Sequence, residues 1–140
     1  MEAVGIVGSC VALVQAGDRL LQLVAWIQRC SDIEKEIKDL GDDIYRLKHI
    51  LNSARINMAL HGPPDIDLIS KSMFECEKVI TSLEEVIVSS LRISDKFQGP
   101  IRRQAIRMRW IRRSQRVERL RARLRDALNS LLLCFAIASR

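Results

Sequence analysis

Residues 32–60 read DIEKEIKDLGDDIYRLKHILNSARINMAL, and their apolar positions decide the fold. Ile33, Ile37, Leu40, Ile44, Leu47, Leu51, Ala54 and Met58 recur in alternating steps of four and three. That spacing places one side chain per turn on a single helix face, a seam that must be buried against a partner helix. Ser31 and Asp32 are available as caps, and Glu34 and Glu36 lie in the first turn, where carboxylates suit the positive end of the helix dipole. The run His61-Gly62-Pro63-Pro64-Asp65 ends the helix, because two prolines remove backbone donors and the glycine frees the backbone.

Working outward, a second seam follows at Ile66, Ile69, Met73, Cys76, Ile80, Leu83 and Ile87, with Asp65 or Asp67 as cap and Lys71, Glu75, Lys78 and Glu84 on the solvated faces. Two such helices joined by a short turn are expected to form a helical hairpin, here over about 32–93. A flexible linker is expected from Ser94 to Pro100. The last helical region, about 101–138, has the seam Val117, Leu120, Leu124, Ala127, Leu131, Cys134 and Ala138. Four residues before Val117 stands Arg113, so the register fails there and a break or kink is expected between Ile111 and Ser114. The N-terminal helix, about 2–29, carries the seam Ile6, Cys10, Leu13, Gly17, Leu20, Val24 and Ile27. The expected fold is thus an all-α, antiparallel four-helix bundle formed by residues 1–140 as one domain, with a fifth helix if the break divides the last region.

Length and composition agree with one core. The chain has 140 residues, 48% of them apolar and 29% charged, with six glycines and three prolines. Little material is left for turns, so few long elements are expected. Cys10, Cys30, Cys76 and Cys134 are widely spaced, with no C-x-x-C, and read as small core residues of a reducing compartment. Val14-Gln15-Ala16 resembles a signal-peptidase site, but the basic stretch that precedes such sites is missing, which argues against secretion. The uncharged run Ala3–Gly17 would span ~22 Å as a helix, short of a hydrocarbon core of ~30 Å.

The first helix differs from the others in being apolar all round in its first half. Opposite its seam it holds Gly5, Gly8, Ala12 and Ala16, a ridge of small residues of the kind that lets helices approach closely in membranes or oligomers. A fully buried central helix would have the same composition. No nucleotide-binding glycine loop and no metalloprotease motif occurs, and His49 and His61 read as solvated side chains. Asp39, Asp42 and Asp43 lie on a helix face without the oxygen-rich loop that calcium needs and read as solvated groups or partners for arginine. No catalytic residue, metal site or cofactor is expected.

Charge is divided unevenly. Residues 1–100 carry 11 basic and 15 acidic side chains, whereas residues 101–126 carry 11 arginines against Glu118 and Asp126. Arg116, Arg121 and Arg123 flank the last seam where interhelical pairs form. Arg107, Arg109, Arg112, Arg113, Arg116 and Arg119 are expected to form an ion-pair surface or to meet anionic lipid headgroups, each charge contributing ~1 kcal/mol near such a surface. Nucleic acid is not an expected partner, since Trp110 is the only stacking aromatic nearby.

The N-terminus Met1-Glu2-Ala3-Val4-Gly5-Ile6-Val7-Gly8-Ser9, the segment from Asp32-Ile33-Glu34 to Leu47-Lys48-His49-Ile50-Leu51, and Met108-Arg109-Trp110 leading through Val117-Glu118-Arg119-Leu120 to Leu128 resemble the fungal HeLo-like and SesA-like domains. Such domains stand at the N-termini of STAND (NLR-type) NTPases and ankyrin-repeat proteins. The resemblance covers essentially the whole chain, which departs from the pattern in its arginine density. It implies a cytoplasmic bundle that self-associates when a C-terminal receptor module is activated, relocates to the plasma membrane and causes programmed cell death linked to non-self recognition. The membrane-inserting residues it implies are Val4, Gly5, Ile6, Val7, Gly8, Val11, Ala12, Leu13 and Ala16. An adaptor that only oligomerises is the other activity it implies.

Overall fold

The apolar seams become four helices in the computed structural model, which describes residues 2–30, 34–61, 66–92 and 98–138, with side chains omitted at 2–4, 6–7, 30, 34–36, 57–61, 66 and 135–138. They are α1 (Glu2–Cys30), α2 (Glu34–His61), α3 (Ile66–Leu91) and α4 (Pro100–Ala138), and there is no strand among the described residues. The expected caps Ser31, Asp32 and Asp65, the turn 62–65 and linker residues 94–97 lie outside what is described. So do the side chains of Val4, Ile6, Val7 and Met58. Every described residue of the four seams is buried. Each fully buried Leu or Ile contributes ~1.5–3 kcal/mol from removal of apolar surface from water, so the seams are the main favourable term in folding.

Direction follows from cross-helix contacts. Gly17 lies beside Ile44 and Lys48 while Gly41 lies beside Val24, so α1 and α2 run antiparallel. Arg123 bonds Glu75, and Arg109 bonds the carbonyl of Ser89, so α3 and α4 are antiparallel as well. Asp43 meets Arg121 while Arg46 meets Asn129, so α2 and α4 are parallel. Around the bundle the order is α1, α2, α4, α3, with α1 touching α4 only lightly across the diagonal.

Two expectations are corrected here. The helices α2 and α3 do not pack side by side as a hairpin; among the described residues they make no contact and occupy opposite corners. The helix α4 is continuous through 111–114. Ile106 and Trp110 are buried and extend the seam upstream in the same four-and-three steps, with the half-buried Arg113 occupying one seam position. The stem of an arginine can cover apolar surface while its guanidinium reaches solvent, so the periodicity survives a charged residue. Trp110 is only 1% exposed, and its indole N–H has no partner among the described residues.

Local chemistry sets the ends and the approach of the helices. Gly99 has φ +60°, a region that glycine enters without a Cβ penalty, and its carbonyl accepts from the Arg103 amide at 3.2 Å to open α4, with Pro100 in the first position. Gly17 is buried where α1 packs on α2, and a Cβ there would be in ordinary contact with Lys48 and Ile44.

One polar junction ties α4 to α2. The Arg121 Nε donates to Asp43 at 2.7 Å and its Nη1 donates to Glu118 at 2.7 Å. Burial works against the Arg121 charge, but the bonds to Asp43 and Glu118 outweigh it and hold the guanidinium pKa above its ordinary value. Nearer solvent, Arg123 bonds Glu75 at 2.9 Å and draws the Glu75 carboxyl below the usual range, while Lys48 pairs with Asp18 across α2 and α1.

Leu47→Ala and Leu124→Ala are each expected to lower unfolding free energy by ~2–5 kcal/mol in urea titrations, since both side chains are fully buried. Asp43→Ala should cost ~1–3 kcal/mol by leaving Arg121 short of a partner, and adding Arg121→Met should recover most of that loss in the same assay.

Candidate functional site

An exposed helix face is ordinarily polar, because water solvates it better than it solvates hydrocarbon. The N-terminal half of α4 departs from this. Directly opposite its buried Ile106 and Trp110, it presents Ile101, Met108 and Ile111, which are 63%, 51% and 55% exposed, with Gln104 and Gln115 in the same stripe. At 100° per residue, Arg103 and Arg107 border one edge of that stripe, and Arg112, Arg116 and Arg119 border the other. The solvent side of this helix thus has an apolar strip flanked on both edges by permanently charged guanidiniums.

The expected arginines have separate fates. Arg107, Arg112, Arg116 and Arg119 are exposed and Arg113 is half-buried; none of the five pairs with a carboxylate among the described residues. Arg109 is different. Its Nη1 donates to the carbonyl of Ser89 at 3.2 Å and to that of Arg92, so it caps the C-terminal end of α3. The last carbonyls of a helix lack intrahelical donors, and a guanidinium satisfies them. Arg109 therefore caps α3 while remaining half-buried at the surface. Of the arginines expected to pair with another helix, Arg121 and Arg123 do so, and Arg116 does not among the described residues.

Helix α1 is two-sided. Leu13 lies in the core, so it would have to leave the bundle before it could enter a membrane. Gly5, Gly8 and Ala12 are exposed, and Val11 and Ala16 are half-buried, which rules out a fully buried central helix. A groove of about 720 Å³ runs between α1 and α3, with Gly5, Ser9, Ala12 and Ala16 along one wall and Glu77 and Glu84 along the other. A Cβ at Gly5 or Gly8 would meet nothing within 4 Å, so the ridge borders open space at its start, whereas Ala16 packs against the core. By length and composition alone, Gly8–Arg29 suffices to cross a bilayer, although Asp18 and Arg19 lie within it and 33% of its apolar window is buried.

The remaining candidates carry little chemistry. Asp43 is taken up by Arg121, and no cluster of three metal-ligating side chains occurs among the described residues. Burial pushes the Cys10 thiol up to about 11 and the Cys76 thiol up to about 12, so both are neutral near pH 7 and unsuited as nucleophiles. Ile101, Met108 and Ile111 were missed by sequence reasoning, although their spacing of seven and three was available in the stretch where the register seemed to fail. No family model, curated protein or solved structure matches this chain.

Cys10, Cys76 and Cys134 should remain unmodified when the native protein is treated briefly with iodoacetamide at about pH 8, and should react fully in denaturant. Peptide mass spectrometry reads the outcome, and fast native labelling of Cys10 or Cys76 would contradict the burial described.

Proposed function

We propose that this chain is a membrane-acting effector domain of the HeLo-like kind, a helical bundle that docks on anionic bilayers through the outward face of α4 and delivers α1 to the membrane after release from the bundle. The observation that carries the reading is the strip Ile101, Met108 and Ile111 on the solvent side of α4, between arginines that pair with no carboxylate among the described residues. Immersing a Met or Ile side chain yields ~1.5–3 kcal/mol if complete, and each arginine near an anionic surface adds ~1 kcal/mol. The two contributions are comparable, so neither charge alone nor hydrophobicity alone accounts for docking. Coupling to a C-terminal receptor module, self-association, relocation from cytoplasm to plasma membrane and a cell-death output in fungal non-self recognition belong to the same proposal and rest on the resemblance.

Support for α1 as the inserting element comes from its half-exposed state. Its apolar ridge requires no unfolding to be reached, whereas Leu13 and the rest of its seam require α1 to leave α2 and α3. A second reading, a protein-interaction bundle without membrane activity, is favoured by the open groove between α1 and α3.

Vesicle flotation separates the readings. Met108→Glu with Ile111→Glu should abolish binding to phosphatidylserine vesicles, and Arg112→Gln with Arg116→Gln should weaken it, while high salt removes only the arginine share as the screening length falls to ~3 Å at 1 M. Wild-type protein that ignores such vesicles, or a Met108→Glu/Ile111→Glu variant that binds as wild type, overturns the docking face. Ala12→Glu should fold cooperatively but lose dye leakage, since a carboxylate deep in hydrocarbon is costly, at ~2.5–3.5 kcal/mol on insertion scales for charged residues. Full leakage by that variant excludes insertion of α1.

A further inference from the structure

Where α3 ends against α4, five side chains enclose a shallow depression of about 500 Å³: Ser89, Arg92, Arg109, Arg112 and Arg113. Arg92 follows the last residue of α3, and the three other arginines come from one and a half turns of α4. Guanidiniums do not deprotonate in proteins, so four positive charges face one hollow. No carboxylate pairs with any of them among the described residues. The negative end of the α3 dipole offsets only about half a charge, and Arg109 already engages it through the carbonyls of Ser89 and Arg92. That engagement also holds Arg109 in place from one nitrogen and leaves its other N–H donors available.

We infer that this pocket is a binding site for a phosphate-dense anion, a group carrying at least two neighbouring phosphomonoesters. A phosphomonoester carries about −1.5 to −2 near neutral pH, so one would balance half of the four guanidiniums and two would balance them all. The planar fork of arginine donates two parallel hydrogen bonds to phosphate oxygens, and arginines on two helices give the pocket a shape that a single helix row lacks. The phosphates have two possible sources, a soluble polyphosphate or the headgroup of a multiply phosphorylated lipid. The inference deepens the membrane reading by naming a ligand chemistry, and it rests on that reading only for the lipid source. Arg112 joins the two, because it lines the pocket and borders the apolar strip of α4.

Isothermal titration of the whole chain with inositol hexakisphosphate tests the pocket without a membrane. Binding of one probe per chain is expected, weakened at least about tenfold, or ~1.4 kcal/mol, by Arg92→Gln with Arg112→Gln. Removing the same charge outside the pocket, with Arg107→Gln and Arg119→Gln, should weaken it much less. Equal weakening by the two pairs marks the diffuse attraction that any polyanion, RNA included, would feel, and overturns the site; so does failure to bind the probe. Vesicles holding a phosphatidylinositol bisphosphate are then compared with phosphatidylserine vesicles of matched surface charge. Preference for the bisphosphate, lost in Arg92→Gln/Arg112→Gln, supports the lipid source. Probe binding without that preference supports a soluble polyphosphate and leaves the pocket standing, whatever becomes of the lipid-docking face.

Discussion

Burial of one continuous seam on α4, from Ile106 and Trp110 to Cys134, is the constraint on which the other features of the molecule depend. That helix carries eleven arginines between residues 101 and 126, and each must be placed without drawing the seam out of the core. Where acidic neighbours exist the charges are absorbed. Arg121 and Arg123 reach Asp43 and Glu75 on the flanking helices, and the junction at Arg121 keeps an ion in a poorly hydrated position by giving it two carboxylates. Toward the start of α4 such partners are lacking among the described residues, so the charges line a depression or point outward.

The first half of α4 has two apolar stripes, of which that constraint accounts for one. The inward one completes the core at the end where α3 finishes, and the outward one is left uncovered among the described residues. Exposing three large apolar side chains beside a dense cationic surface is an arrangement that water alone does not reward. An interface with both hydrocarbon and negative charge satisfies both groups at once. The groove beside α1 is lined differently, with Gly5, Ser9, Ala12, Ala16 and Arg19 on the α1 side and Asp67, Glu77 and Glu84 on the α3 side.

Arg109 shows how a charged residue changes its role once tertiary neighbours are fixed. As a member of a basic run it is indistinguishable from Arg107 or Arg112, yet the end of α3 falls beside it and one nitrogen of its guanidinium donates to backbone carbonyls. Arg113 shows the reverse confusion. A charge at a seam position suggests a broken register, although the long aliphatic stem lets the helix continue.

Helix content and the identity of the buried faces were legible in the sequence, because three-and-four spacing of apolar residues has one satisfactory solution per segment, a helix with its seam inward. The seams from Cys10 to Ile27, Ile37 to Ala54, Ile69 to Ile87 and Val117 to Cys134 are buried as their periodicity requires. Which helices stand side by side was decided by tertiary structure alone. Between His61 and Ile66 the chain can reach at most ~18 Å, at up to ~3.6 Å per residue, far enough for either the adjacent or the diagonal corner of a bundle. A seam specifies that it must be covered without naming its cover; in the fold Gly17 of α1 packs beside Ile44 and Lys48 of α2, and Asp43 of α2 pairs with Arg121 of α4. The exposed strip of α4 and the arginine pocket at the end of α3 follow from that choice, because each depends on which side chains the neighbouring helices leave uncovered.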